Sequence, residues 1–197
     1  MVPVSRSSKH FVSSSYRMEI FMKFFLENRA RAGVVLALVM ILASVFGTWR
    51  SVALQAGKVE KEFTKEDSFG QTVSSTLADL AYHGERFADA YEQAVEKDND
   101  SILLRTASQE IEQRGDDPTA LGREYTDIRR SVQNMYDRLL VAGQYKDGIR
   151  AAHMAVGSDL SILSKYDDYN AAAKKYNQKT AAFPASLFAG DQAIVFE

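Results

Sequence analysis

The longest apolar segment of the chain lies near its N-terminus, at residues 32–49. These eighteen residues carry no charged side chain, and Arg31 and Arg50 flank them. At about 1.5 Å per helical residue, the segment spans about 27 Å, close to the hydrocarbon thickness of a bilayer. The pattern predicts a transmembrane helix at 32–49, a disordered, basic arm before it at 1–31 and a helical domain after it, which takes in the rest of the chain (50–197).

Beyond the apolar segment, hydrophobic residues continue at helical spacing. Val52, Ala56, Val59 and Phe63 follow Trp49 at alternating intervals of three and four residues. We therefore expect one helix to run without a break from the membrane segment into the domain and to hold the domain upright on the membrane.

Similar periodicity predicts further helices. The second should follow residues 67–70 and bury the face made by Val73, Leu77, Leu80, Phe87 and Tyr91. A short third helix should be capped by Asp100. The fourth should start with Asp117 as cap and Pro118 at its first position, and its heptad seam, typical of a coiled coil, comprises Leu121, Tyr125, Ile128, Val132, Met135 and Leu139.

One apolar seam then runs from residue 149 to residue 183, which predicts a single long last helix ended by Pro184. Taken together, the patterns predict an all-α fold. A single N-terminal transmembrane helix is continuous with an antiparallel bundle of about four helices.

The distribution of charge predicts the orientation of the chain in the membrane and argues against one class of partner. Six basic and two acidic residues precede the apolar segment, so the positive-inside rule predicts a cytoplasmic N-terminus and an extracytoplasmic C-terminal domain. From Ser51 onward the chain has 17 basic and 24 acidic residues, a net charge of −7. An acidic domain argues against nucleic acid as a partner, because neutralising phosphates needs a basic face.

The sequence shows no pattern of catalytic residues. It has no cysteine, which excludes disulfides and thiolate chemistry. None of the histidines (His10, His83, His153) belongs to a Glu-x-x-His pair, and no acidic residue stands isolated on an apolar seam. We expect no enzyme activity and no catalytic, cofactor-binding or metal-binding residues, and hence no cofactor.

Two questions about the N-terminus stay open. The small residues Ser51 and Ala53 around Val52 resemble a signal-peptidase site, although the long apolar run and the continuing seam favour an uncleaved anchor. Met18 is a second plausible start besides Met1.

The C-terminal segment carries a motif of four dipeptides in order. They are Tyr169-Asn170, Tyr176-Asn177, Phe183-Pro184 and Phe196-Glu197. This order resembles the end of LemA-family proteins, and the chain is similar to a divergent member. The resemblance implies a bacterial single-pass membrane protein with a helical bundle, no assigned activity and an N-terminus outside the cell, the opposite of the charge rule. Helical spacing by itself favours a packing role for the tyrosines over a binding groove.

These features favour a non-enzymatic scaffold or adaptor at the bacterial cell membrane. Its partners would be the lipid bilayer and a protein that the sequence does not identify, and a homo-oligomer stays open. The alternative is a membrane-anchored sensor that binds a small ligand in its helical bundle, which requires a polar pocket between helices.

Overall fold

The computed structural model describes residues 29–197, and within that range the chain is helical. It forms six α-helices and one short 3₁₀ helix, and no β-strand occurs in this range. In chain order they are α1 (Arg29–Phe63), α2 (Val73–Ala94), α3 (Asn99–Arg114), α4 (Gly122–Val141), α5 (Asp147–Ser164), α6 (Asp167–Thr180) and the 3₁₀ turn Ala185–Leu187. The predicted all-α fold is confirmed. Most of the predicted basic arm, and with it Met18, lies outside the described residues.

Helix α1 has 35 residues and no interruption. Its residues up to Thr48 belong to one compact unit, and the chain from Trp49 onward forms a second. In the first unit the apolar side chains are exposed, for example Leu38 at 54% and Leu42 at 66%. The helix is long and apolar enough to cross a membrane. Because it begins at Arg29, the last three residues of the predicted arm are helical.

The core of the second unit is built around α2. This helix packs against both α3 and α5, and α3 packs against α4. Every residue of the predicted α2 face and of the predicted α4 seam is buried, which confirms both patterns. The C-terminal part of α1 adds Val52, Val59 and Phe63 to this core. Burying a side chain of this kind contributes roughly 1.5–3 kcal/mol relative to leaving it exposed.

The predicted long last helix is wrong, because the chain breaks into α5 and α6. At the break, the backbone N–H groups of Lys165 and Tyr166 bond to carbonyls three residues back, which tightens and ends α5. Asp167 and Asp168 then occupy the first turn of α6, where negative charge favours a helix start. The apolar seam continues across the break, so hydrophobic spacing carries no sign of it.

Two predicted helix starts are also shifted. Helix α4 begins at Gly122, four residues after Pro118, because the Asp117 carboxylate accepts hydrogen bonds from the backbone and hydroxyl of Thr119 and forms a turn instead of a cap. Helix α3 is capped by Asp98, whose side chain accepts from the Ser101 backbone N–H, and Asp100 lies within its first turn.

Candidate functional site

The C-terminal segment after α6 is held by an asparagine of the LemA-like motif. The Asn177 side chain donates from Nδ2 to the carbonyl of Ala193 and accepts at Oδ1 from the N–H of Ala193, both at 2.8 Å. A side-chain amide has the same donor and acceptor as a peptide group. Asn177 therefore pairs with both backbone groups of Ala193 as another peptide group would. The next residue, Ile194, donates its N–H to the Pro118 carbonyl at 3.1 Å.

A second asparagine and two tyrosine rings hold the chain end. Asn170 Oδ1 accepts the buried N–H of Phe196 at 2.9 Å. The Phe196 ring lies 5.4 Å from that of Tyr169 and makes a T-shaped contact with the ring of Tyr125 at 4.9 Å. Tyr169 also contacts Phe63 of α1 at 5.7 Å. Edge-on and tilted pairs at these distances are favourable beyond their buried area.

Burial has one electrostatic consequence in this cluster. The Tyr169 hydroxyl is buried without a hydrogen-bond partner among the described residues. Burial raises the pKa of Tyr169 well above the ordinary value for a phenol. Burial therefore favours the neutral phenol over the phenolate at this position.

The remaining motif residues lie in three different settings. Tyr176 is buried at 3% exposure, on the same helix as the asparagines. Phe183 is 80% exposed in the loop after α6, and Pro184 precedes the 3₁₀ turn. Glu197 is exposed and pairs with Lys174 at 3.0 Å. The structure therefore gathers Tyr169, Asn170, Asn177 and Phe196 around the chain end. Tyr176 instead lines a groove with Pro118 and Phe188, and Phe183-Pro184 lies in the loop after α6.

An open groove of about 700 Å³ runs between the C-terminal segment and the first turns of α4. Arg114, Arg123 and Arg129 line it together with Glu124. One Glu124 carboxylate oxygen is buried and has no hydrogen-bond partner within residues 29–197. The groove is open at the surface, and three arginines give its wall positive charge.

Asp159 corrects the expectation that no acid stands on an apolar seam. It is buried on α5, and its carboxylate lies 2.7 Å from Nδ1 of His83 on α2. Burial raises the pKa of Asp159 and outweighs the opposing effect of the His83 hydrogen bond. Its position, three residues after Val156 and four before Leu163, is itself a helical core spacing. That spacing is the signal by which the sequence could have revealed it.

His153 belongs to an aromatic cluster between α4 and α5. Its ring stacks on Tyr136 at 4.5 Å, and its Nδ1 hydrogen-bonds the Tyr145 hydroxyl at 2.9 Å. The Phe87 ring of α2 contacts it from a third helix at 5.4 Å. Burial lowers the pKa of His153, so the neutral imidazole is favoured. These contacts give His153 a packing role.

Charged side chains join the ends of three helices. Asp98 accepts from the Tyr91 hydroxyl of α2 at 2.5 Å and pairs with Arg138 of α4. Burial acts to raise the pKa of Asp98, but the hydrogen bonds from Tyr91 and Ser101 and the charge of Arg138 outweigh it and lower that pKa. Arg105 likewise connects α3 to Glu92 of α2 at 3.0 Å. These pairs connect α2 with α3 and α4.

Within residues 29–197, no three or more His, Asp or Glu side chains come together in a way that could hold a metal ion. Comparisons of the chain with models of protein families, with curated proteins and with solved structures found no match. The likeness to LemA proteins therefore stays a resemblance carried by the C-terminal motif.

Proposed function

We propose that the protein is a single-pass membrane protein of the LemA type and acts as a non-enzymatic scaffold or adaptor at the bacterial cell membrane. In this proposal residues 32–49 cross the bilayer and α2–α5 form an antiparallel bundle. The connections between these helices support the bundle, since four, seven and five residues join consecutive helices. Links this short favour antiparallel neighbours.

The observation that carries the proposal is the change in burial of the apolar side chains along α1. Up to Thr48 its apolar side chains are exposed, and from Val52 the same helix contributes a buried stripe to the core of the second unit. An exposed apolar helix of this length is costly in water and favourable in lipid. The remaining surface is acidic, and its open grooves are suited to protein contacts.

Recovery of the full chain from native membranes tests the scaffold role. We expect gentle solubilisation to co-purify a specific protein in fixed ratio with the chain. A matched control replaces residues 32–49 with an unrelated apolar span, and a partner of the helical domain should remain bound to it. Recovery of no partner, or of one that is lost with the native span, would contradict the proposal.

We propose the extracytoplasmic side for the C-terminal domain, on the basis of the charge bias around the span. Because the chain lacks cysteine, a single introduced cysteine reports topology cleanly. Val141 is 92% exposed at the end of α4, so Val141→Cys is accessible, whereas Ser101 is fully buried and unsuitable. Labelling of whole cells by a membrane-impermeant maleimide is the expected result. Labelling only after lysis would indicate the opposite topology, with the C-terminal domain in the cytoplasm.

A ligand-binding sensor is the second candidate, and one groove favours it. Thr126, Arg129, Gln133 and His153 give it polar walls, and Gly157 leaves space between α4 and α5. A small anionic ligand bound there should raise the Tm of the wild-type chain. Gly157→Trp would fill the groove and abolish that shift. A ligand that stabilises both chains equally would place the binding elsewhere.

A further inference from the structure

Helix α6 runs beside the C-terminal part of α1 in the opposite direction. At one end the rings of Phe63 and Tyr169 are 5.7 Å apart, and at the other Lys179 Nζ donates to Ser51 Oγ at 3.2 Å. The two stretches between these contacts have matching lengths, because twelve helical residues rise about 18 Å and ten rise about 15 Å. Following α6 therefore leads back toward Trp49, where the apolar segment of α1 ends.

The chain leaves α6 at that point and forms a loop of residues 181–188, here called the Phe183 loop. Phe188 of this loop lines the same groove as Trp49 and Val52. This is a second, independent sign that the Phe183 loop lies beside the end of the apolar segment. All these residues belong to the second compact unit.

The Phe183 loop exposes large apolar side chains next to basic ones. Phe183 is 80% exposed and Leu187 is 67% exposed. No acidic residue occurs in the sequence between Asn170 and Gly190, whereas Glu60, Asp116 and Asp117 line the groove that Phe188 shares with Trp49. The exposed Phe183 and Leu187 side chains meet the main demand of a bilayer interface, which is apolar burial at the acyl boundary, and Lys179 adds one charge that anionic headgroups attract.

We propose that the Phe183 loop inserts into the interface of the same bilayer that α1 crosses and gives the domain a second membrane contact. The occupant of the exposed patch is the lipid surface, with Phe183 and Leu187 at acyl-chain level and Lys179 at headgroup level. This inference rests on the proposed membrane span and adds a separate lipid-binding element to it. A second contact restricts how far the domain can tilt on the membrane.

Fluorescence of the full chain in lipid vesicles tests the inference. Single cysteines are labelled with the environment-sensitive dye NBD, and the protein is reconstituted in phosphatidylcholine vesicles containing phosphatidylglycerol. Phe183→Cys reports on the loop. Phe69→Cys is the matched control, because Phe69 is 87% exposed and follows the end of α1, about 21 Å of helix beyond Trp49. Leu38→Cys reports on the span itself.

We expect a blue-shifted emission at Phe183, quenched by nitroxides attached to lipids near the headgroup. The Phe69 label should emit as in water and be quenched by aqueous iodide. If the Leu38 label is quenched from within the bilayer and the Phe183 label behaves like that at Phe69, the loop inference is wrong and the span stands. If the Leu38 label also emits as in water, the proposed transmembrane span is wrong and the loop inference is wrong with it.

Discussion

At the scale of single residues, asparagine side chains hold the C-terminal segment, because they serve as hydrogen-bond partners for its backbone groups. Asn177 and Asn170 satisfy three backbone groups of the last five residues, and no helix or sheet offers partners to these groups. Their pairing with residues 16 and 26 positions away could not be predicted from local spacing. The sequence singled them out as a motif, and their hydrogen bonds give that motif a physical role.

Replacement of Asn177 by alanine should release the C-terminal segment. Both backbone groups of Ala193 lose their partner, and an unsatisfied buried group costs about 1–3 kcal/mol. We expect a lower free energy of unfolding and faster amide hydrogen exchange at residues 193–196. Gln109→Ala, on an exposed position of α3, is the control and should change neither. Unaltered exchange in the Asn177→Ala variant would show that other contacts hold the segment.

Replacement of Asp159 by asparagine should stabilise the fold at neutral pH. Burial raises the folded-state pKa of Asp159, so the folded state binds its proton more tightly than the unfolded state does. The free energy of unfolding of the wild type therefore falls as pH rises from about 3.9 through the raised pKa. Asparagine at this position still accepts a hydrogen bond from His83 and does not titrate. The fall in the free energy of unfolding with rising pH is therefore absent in the variant.

Chemical denaturation in detergent across this pH range measures the effect. The advantage of Asp159→Asn over the wild type should be greatest near neutrality and shrink toward acid. Asp116→Asn, at an exposed carboxyl after α3, serves as the control. A pH-independent difference between the Asp159→Asn variant and the wild type would mean that the carboxylate is not penalised by burial.

At the scale of elements, helix faces followed from the sequence more faithfully than helix ends did. The α2 and α4 faces are buried as predicted, because burying an apolar stripe requires the same spacing in any helical protein. The break at Lys165 and the late start of α4 were missed. Both are set by local hydrogen bonds that hydrophobic spacing does not reveal. Lys165 and Tyr166 donate to carbonyls three residues back, and Thr119 donates to the Asp117 carboxylate.

Close contact between α2 and α3 depends on Gly84. A Cβ added there would lie 2.8 Å from Ser108 Oγ and 3.3 Å from Leu104 Cδ1. Gly84→Val should therefore separate the helices and lower the free energy of unfolding by about 1–3 kcal/mol. Gly157→Val is the matched control, because its added Cβ meets no atom within 4 Å and valine favours helix slightly over glycine. Equal effects of the two substitutions would contradict tight packing at Gly84.

At the scale of the whole molecule, we expect attachment of the protein to the membrane to depend on the exposed apolar half of α1. Nine Val, Leu, Ile or Phe residues at 32–49 favour insertion by about 3–5 kcal/mol in total. A pair of arginines near the middle would cost about 5–7 kcal/mol and outweigh that gain.

Leu38→Arg combined with Leu42→Arg should therefore move the chain out of the membrane fraction. Leu140→Arg, at a half-exposed position of α4, is the control and should leave the chain in the carbonate-resistant membrane pellet. Retention of the double variant in that pellet would show that another part of the chain holds the membrane.

From the amino-acid sequence we could predict the helical class, the exposed apolar half of α1 and the buried faces of α2 and α4. These features follow from local periodicity and from the number of consecutive uncharged residues, which any segment carries with it. Only the packed fold reveals the burial of Asp159 against His83, the hydrogen bonds of Asn177 to Ala193 and the position of the Phe183 loop beside Trp49. Each of these joins residues distant in sequence, and such pairings depend on how the helices pack rather than on the neighbours of either residue.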